Sequence, residues 1–379
     1  MNKLEEFELQ LKKPLSSANK KLLEEYTNFM QPELQIFKTP KKIAFIHEDV
    51  GHLTGGRYYA WFLASALAEI GHDVTIYTNR QPVFLSEFRG YKRPRVIIAA
   101  MNARRLSRVD IQADVYIGSP IQGALAATIL GKKYHKPSFA LIFDPFPAME
   151  KYLNKKVYVG WDELILNLKN SETNIISLCK SMSNFIYPWL NKTKSQVFDV
   201  FPCINSKIFD IKPREYPKQD YVVFVSRMVR HKRFEDVVSA VAKTNLRLKV
   251  ISSISGMNYQ LPIQQYNMKN RVDFYWKCSD DQKFDLIAKS RGVIVASVFE
   301  GWGIYATEAI ACGVPFIGYD YPTFREIERF AGADNFYLAQ YKNSFDLSRK
   351  LKQAIRERKY NKPSKAFHFE KMMERLKNL

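Results

Sequence analysis

The sequence predicts an α/β protein made of two doubly wound parallel-sheet domains facing a central cleft, and three observations predict it. Short apolar runs of strand length alternate with longer segments of helical periodicity. The alternation breaks between residues 202 and 218, where three prolines and mixed charges interrupt it, and then begins again. A chain of 379 residues also suits two cores better than one.

Taken in order, residues 1–40 mix charges with Leu and Phe and predict one or two surface helices ahead of the core. Residues 42–47, KIAFIH, form a short apolar run suited to a buried parallel strand. Gly55 and Gly56 follow, then YYAWFLASALAEIG with helical spacing and a terminal Gly71, then a strand over 73–77. Strand, glycine turn, helix and strand make a βαβ unit. Further strands are predicted at 95–100, 114–118, 138–143 and 174–178, with helices between them. The second series runs through strands at 221–226, 246–252, 271–276 and 292–297, a helix over about 234–243, and a strand after Cys312-Gly313-Val314-Pro315. An amphipathic helix closes the chain at 367–379, after the polar stretch NKPSK.

With 46% hydrophobic and 25% charged residues the chain reads as folded, neither collagenous nor disordered. No apolar run approaches the roughly 18 residues that cross a bilayer. The charged N-terminus lacks the apolar core of a signal peptide, so the expected location is the cytoplasm. Cys179, Cys203, Cys278 and Cys312 are scattered, with neither CxxC nor zinc spacing, and predict reduced, mostly buried thiols and no metal site. The net charge of +20 is concentrated: residues 80–108 hold eight basic residues against Glu87, and residues 349–377 hold eleven against three acids. Such stretches attract anions, either a phosphorylated substrate or an acidic lipid surface, with nucleic acid the less favoured partner. The bland alternative is a solvated basic surface.

Ligands of doubly wound sheets bind beyond the carboxyl ends of the strands, so the candidate chemistry is sought there. The strongest signal is FEGWGIYATEAIACGVPFIG at 299–318. Glu300 and Glu308 stand eight residues apart across a glycine turn, and Gly301 and Gly303 allow close backbone approach to a ligand. The helix beginning near Ile304 offers free amides to a phosphate or a sugar oxygen. Next, Arg227 and Lys232 follow the first strand of the second series and carry two cations suited to a diphosphate. Arg230, His231 and Arg233 beside them read as surface residues. The double glycine Gly55-Gly56 also allows close approach of a ligand, and Arg57 next to it suits either an anionic acceptor or solvent. Asp144, in Phe143-Asp144-Pro145, ends a strand and could orient an acceptor hydroxyl or take its proton; a simple turn-forming Asp explains it as well.

These residues resemble the retaining glycosyltransferases of the GT-B fold, specifically family four, in order along nearly the whole chain from about Lys42. The double-glycine turn with ASALAEIGHDVTIYT resembles that family's opening βαβ unit, SRMVRHK its diphosphate element, EGWGIYATEAIACGVPFIG its E-x7-E signature, and FHFEKMMERL its final helix. The resemblance implies two Rossmann-like domains: a first domain over 41–205 that binds the acceptor, with 366–379 returning to pack on it, and a nucleotide-sugar domain over 206–365. It implies that Arg227 and Lys232 bind the donor diphosphate, Glu300 the sugar hydroxyls and Glu308 the ribose. Amides of Gly303, Ile304 and Tyr305 would touch sugar and phosphate. The donor would be a UDP- or GDP-linked sugar serving as substrate, with no cofactor and no metal, and the anomeric configuration would be retained. The family's usual glycine after the diphosphate lysine is Arg233 here, and its frequent histidine stands as Asp144.

The expected function is therefore sugar transfer to a hydroxyl acceptor, with Asp144 on the acceptor side. The competing expectation is a basic scaffold of the same fold that binds nucleic acid or an anionic membrane without catalysis. The stretch at 80–108 makes peripheral contact with the inner membrane face the expected lipid version.

Overall fold

The structure, a computed structural model, describes residues 35–49, 55–81, 91–98, 105, 108–154, 160–190, 192–193, 196–205, 208, 218–253, 258–360 and 364–377. The helices expected within 1–34, most of the basic stretch 80–108 and the start of the NKPSK segment lie outside the described residues. Contacts divide the chain into two units. One gathers Tyr26–Pro145, Lys156–Asn205 and Phe367–Leu379, and the other includes Phe146–Lys155 and Ser206–Ala366.

The N-terminal unit opens with β1 (Lys42–His47), α1 (Gly55–Glu69), β2 (Asp73–Thr78) and β3 (Arg95–Ile98). It continues through β4 (Val115–Ser119), α2 (Gln122–Tyr134) and β5 (Ser138–Ile142). Helix α3 (Phe146–Leu153) leaves for the other unit. The chain then returns with α4 (Trp161–Lys169), β6 (Asn174–Ser177), α5 (Lys180–Leu190) and β7 (Val197–Asp199). Among the described residues seven strands run parallel in the order β3-β2-β1-β4-β5-β6-β7. Strands β1 and β4 are buried on both faces, which is why they read as unbroken apolar runs. Ala44, Ile46, Tyr77 and Tyr116 face α2 and pack with Ile111, Ala126, Ala127 and Leu130. The alternate residues of these strands take the opposite face.

The C-terminal unit contains β8 (Tyr221–Val225), α6 (Phe234–Ala242), β9 (Arg247–Ser252), α7 (Gln260–Gln265), β10 (Val272–Trp276) and α8 (Asp280–Ala288). It ends with β11 (Val293–Ile294), α9 (Ile304–Ala311), β12 (Phe316–Tyr319), α10 (Pro322–Ala331), β13 (Phe336–Ala339) and α11 (Ser344–Glu357). Among its described residues six parallel strands run β10-β9-β8-β11-β12-β13, so β8 and β11 flank the point where strand order reverses. Only Val293 and Ile294 of the expected strand 292–297 join the ladder. The following residues stay buried and carry the chain toward Glu300.

The last helix, α12 (Phe369–Lys377), packs on α1 of the N-terminal unit. Phe369 is fully buried, with its ring 5.9 Å from Phe62 and 4.3 Å from Tyr91. The sequence expectation of one domain over 41–205 differs from the structure at α3. Tyr152 on that helix lies 5.4 Å from the ring of Phe299, and the Arg230 guanidinium sits 5.8 Å over it, so aromatic and cation–π contacts hold α3 in the C-terminal unit.

Candidate active site

The loop after β8 and the loop after β11 meet in the C-terminal unit. The Val298 amide donates to the His231 carbonyl at 2.9 Å, which fixes one loop against the other. This brings Lys232 to Glu300. Lys232 Nζ and the Tyr305 hydroxyl both donate to Oε1 of Glu300. Ser297 Oγ lies 3.1 Å from the Tyr305 hydroxyl, and the Lys232 ammonium lies 5.8 Å from the Tyr305 ring centre. Lys232 and Glu300 are each 7% exposed, so the charge pair is nearly desolvated and both partners need each other. Oε2 of Glu300 takes no hydrogen bond among the described residues and is left as an acceptor.

Arg227 stands two residues beyond β8 and is half-buried. Its charge is felt at His231, whose pKa is lowered to about 2 by burial first and then by the charges of Lys232 and Arg227. The two cations that the sequence singled out thus act on one buried imidazole. His231 is itself a correction: expected on the surface, it is buried, because the loop that delivers Lys232 packs its ring inward. Arg233, also expected on the surface, is half-buried and binds Asp236 through two nitrogens, with Nη2 to Oδ1 at 3.1 Å. Arg230 is exposed.

Gly303 caps α9 with φ 94°, in the left-handed region. A Cβ there would meet Cε1 of Phe324 at 2.8 Å, so backbone geometry and packing both demand glycine. The turn leaves the first amides of α9, from Ile304 and Tyr305 onward, at the end of the helix dipole. Glu308 lies one turn along α9 and is buried. Its carboxylate pairs with Lys283 Nζ at 2.7 Å, and Lys283 also reaches Asp280 at 2.8 Å. Burial raises the Glu308 pKa while Lys283 opposes that shift. The sequence reading did not single out Lys283, Asp280 or the hydroxyls of Tyr305 and Ser297. Their roles depend on tertiary placement, and only the i, i+3 spacing of Asp280 and Lys283 was visible beforehand.

The remaining candidates belong to the N-terminal unit. Asp144 is half-exposed two residues beyond β5. Gly55 and Gly56 open α1, and a Cβ on Gly56 would meet the Phe143 ring at 3.0 Å. Residues 50–54 of that turn lie outside the described residues. Arg57 pairs with Asp49 at 3.3 Å. Among the described residues no group of three or more His, Cys, Asp or Glu is placed to hold a metal ion.

Residues 205–367 match the family described as Glycosyl transferases group 1. That span takes in Ser206–Ala366 of the C-terminal unit, with its Lys232–Glu300 pair. Among curated proteins, the chain is 24% identical to the N-acetyl-alpha-D-glucosaminyl L-malate synthase of Bacillus anthracis, over 68% of this chain and 73% of that protein. It is 22% identical to the O-antigen chain mannosyltransferase RfbU of Salmonella typhimurium, over 48% of this chain and 51% of that one. Among solved structures, sucrose-phosphate synthase from Thermosynechococcus elongatus aligns with TM-score 0.69 at 15% identity, covering 89% of this chain and 94% of its own. Anabaena HepE in complex with UDP-glucose aligns with TM-score 0.69 at 14% identity, covering 89% and 98%. At such identities the likeness is one of fold, and the fold is GT-B.

Proposed function

We propose that this protein is a glycosyltransferase that moves a sugar from a nucleotide sugar to a hydroxyl group of an acceptor, with retention at the anomeric carbon. The observation that carries this reading is the convergence of Lys232 and Tyr305 on one oxygen of Glu300, beside the left-handed turn at Gly303. The group 1 match and the names of the curated relatives support sugar transfer. A donor diphosphate competes with Glu300 for Lys232 and takes Arg227 as its second cation. These two charges stabilise the diphosphate as it leaves, the task a metal ion performs in other transferases. Glu300, held by Tyr305, accepts hydrogen bonds from the sugar hydroxyls through Oε2. Glu308, held by Lys283, accepts the ribose hydroxyls. The amides at Gly303, Ile304 and Tyr305 receive sugar and phosphate oxygens, and those at Gly55 and Gly56 approach the donor. Asp144 orients the acceptor hydroxyl, which attacks from the face the leaving group departs. The donor is UDP- or GDP-linked and serves as a substrate; the UDP-glucose held by HepE favours UDP.

Glu300→Gln tests the assignment, because the amide keeps a hydrogen bond to Tyr305 but loses the charge. Release of nucleoside diphosphate is expected to fall by about 100-fold or more, with the melting temperature within a few degrees of the parent. Near-parental turnover in that variant would contradict the role of Glu300.

We also propose peripheral contact with an anionic membrane surface through the region 80–108. Its described part supports this. Ile97 and Ile98 on edge strand β3 are 40% and 46% exposed. Nearby, Lys92, Arg93 and Arg95 line a shallow pocket of about 420 Å³ with His72 and Asp73. Exposed apolar residues beside clustered cations suit a headgroup layer.

A further inference from the structure

The last residues of three neighbouring strands in the N-terminal unit form a polar row. Thr78 ends β2, His47 ends β1 and Ser119 ends β4. The ladders set His47 against Ser119 and Ile46 against Tyr77, which brings Thr78 level with His47. Level residues of a parallel sheet present their side chains to the same face. Ile46, Tyr77 and Tyr116 pack toward α2, so this row occupies the opposite face. All three residues are at most 1% exposed. Among the described residues, Nε2 of His47, Oγ1 of Thr78 and Oγ of Ser119 have no hydrogen-bond partner. Each such group carries its full desolvation penalty, and three side by side at the ligand-binding edge of a doubly wound sheet call for an explanation.

Their chemistry indicates what completes them. The Asp49 amide donates to Nδ1 of His47 at 3.1 Å, so the ring proton resides on Nε2 and points into the row. Burial first, then the charge of Arg57, lowers the His47 pKa to about 3, so the ring is neutral at physiological pH. The row therefore offers one fixed neutral donor flanked by two hydroxyls that can each give or accept. A phosphate or carboxylate would call for a free cation there, and Arg57, whose charge reaches His47, is already paired with Asp49 at 3.3 Å. A neutral hydroxyl fits: it accepts from His47 and donates to Ser119 or Thr78. Adjacent strands lie about 4.8 Å apart, so the row has length for two such groups.

We propose that Thr78, His47 and Ser119 bind hydroxyl groups of the acceptor, which makes the acceptor a neutral polyol or sugar at the end engaged there. The inference rests on the reading of the protein as a glycosyltransferase. Its test uses the full chain and the double variant Thr78→Val, Ser119→Ala, which removes both hydroxyls and leaves the donor site of the other unit untouched. Ligand-observed NMR would follow glycerol, myo-inositol and methyl α-glucoside in the presence of UDP or GDP, with nucleotide affinity measured alongside. At least one polyol is expected to bind the parent and to lose tenfold or more in the double variant, with nucleotide Kd unchanged within twofold. The double variant is also expected to melt higher, since unpaired buried hydroxyls are gone. If nucleotide binds but no polyol does, or if polyol binding survives the double substitution, this inference is overturned alone. A double variant that melts lower and binds polyol like the parent would mark the row as a structural water site instead. If neither nucleotide binds, the transferase reading fails and takes this inference with it.

Discussion

His231 is 6% exposed and feels the charges of Lys232 and Arg227, so it stays neutral in the folded protein. Its pKa is about 2 when folded and near 6.5 when unfolded, so the unfolded chain binds a proton that the folded one refuses. Stability is therefore complete above about pH 6.5 and falls as the pH drops below it, by about 1.4 kcal/mol per unit at full slope. His47, lowered to about 3, adds a second slope of the same sign. Urea denaturation of His231→Gln between pH 5 and 7 should show the acid slope reduced by one histidine's share; an unchanged slope would contradict the buried neutral ring. Arg233 shows a different balance. Its φ of 45° and ψ of 54° are left-handed, a conformation that costs a branched-chain-free side chain about 1–2 kcal/mol. Its two-nitrogen grip on Asp236, a buried carboxylate that also accepts from Tyr319, offsets that strain. The position can therefore carry arginine where the resembling family usually has glycine.

The elements differ in how much of themselves they wrote into the sequence. Helix α12 was legible from its amphipathic pattern, and it buries Phe369, Met372 and Leu376. Phe369→Ala should cost about 3–5 kcal/mol, read as a lower urea midpoint; an unchanged midpoint would mean that α12 does not brace α1. Strands β1, β2, β4, β5, β8 and β9 were legible because buried parallel strands read as apolar runs. Strands β7 and β13, of three and four residues, were not singled out. The short β11 was overread, since the chain stays apolar after leaving the ladder for Glu300. In the candidate site, spacing together with the family resemblance pointed to Arg227, Lys232, Glu300, Gly303 and Glu308. It could not show that Lys232 rests on Glu300, that Tyr305 shares that oxygen, or that Lys283 holds Glu308. Lys283 meets Glu308 where α8 packs on α9, and only the packing of two loops joins Lys232 to Glu300 across 68 positions. The same packing turned His231 inward.

At the scale of the whole molecule, two compact units share one chain whose formal charge is +20. Among the described residues no helix is long and apolar enough to cross a membrane. Co-sedimentation with phosphatidylglycerol vesicles should exceed that with neutral vesicles and should weaken with salt; indifference to anionic lipid would remove the membrane proposal. The central claim is sugar transfer from a nucleotide sugar, and the most direct measurement is a donor screen. The purified protein would be mixed with UDP-, GDP- and ADP-sugars in EDTA, with thermal shift and slow release of nucleoside diphosphate recorded. We expect one donor, UDP- or GDP-linked, to raise the melting temperature and to be slowly hydrolysed without added metal. No response to any donor would contradict the account and favour a basic scaffold of the same fold that binds without catalysis.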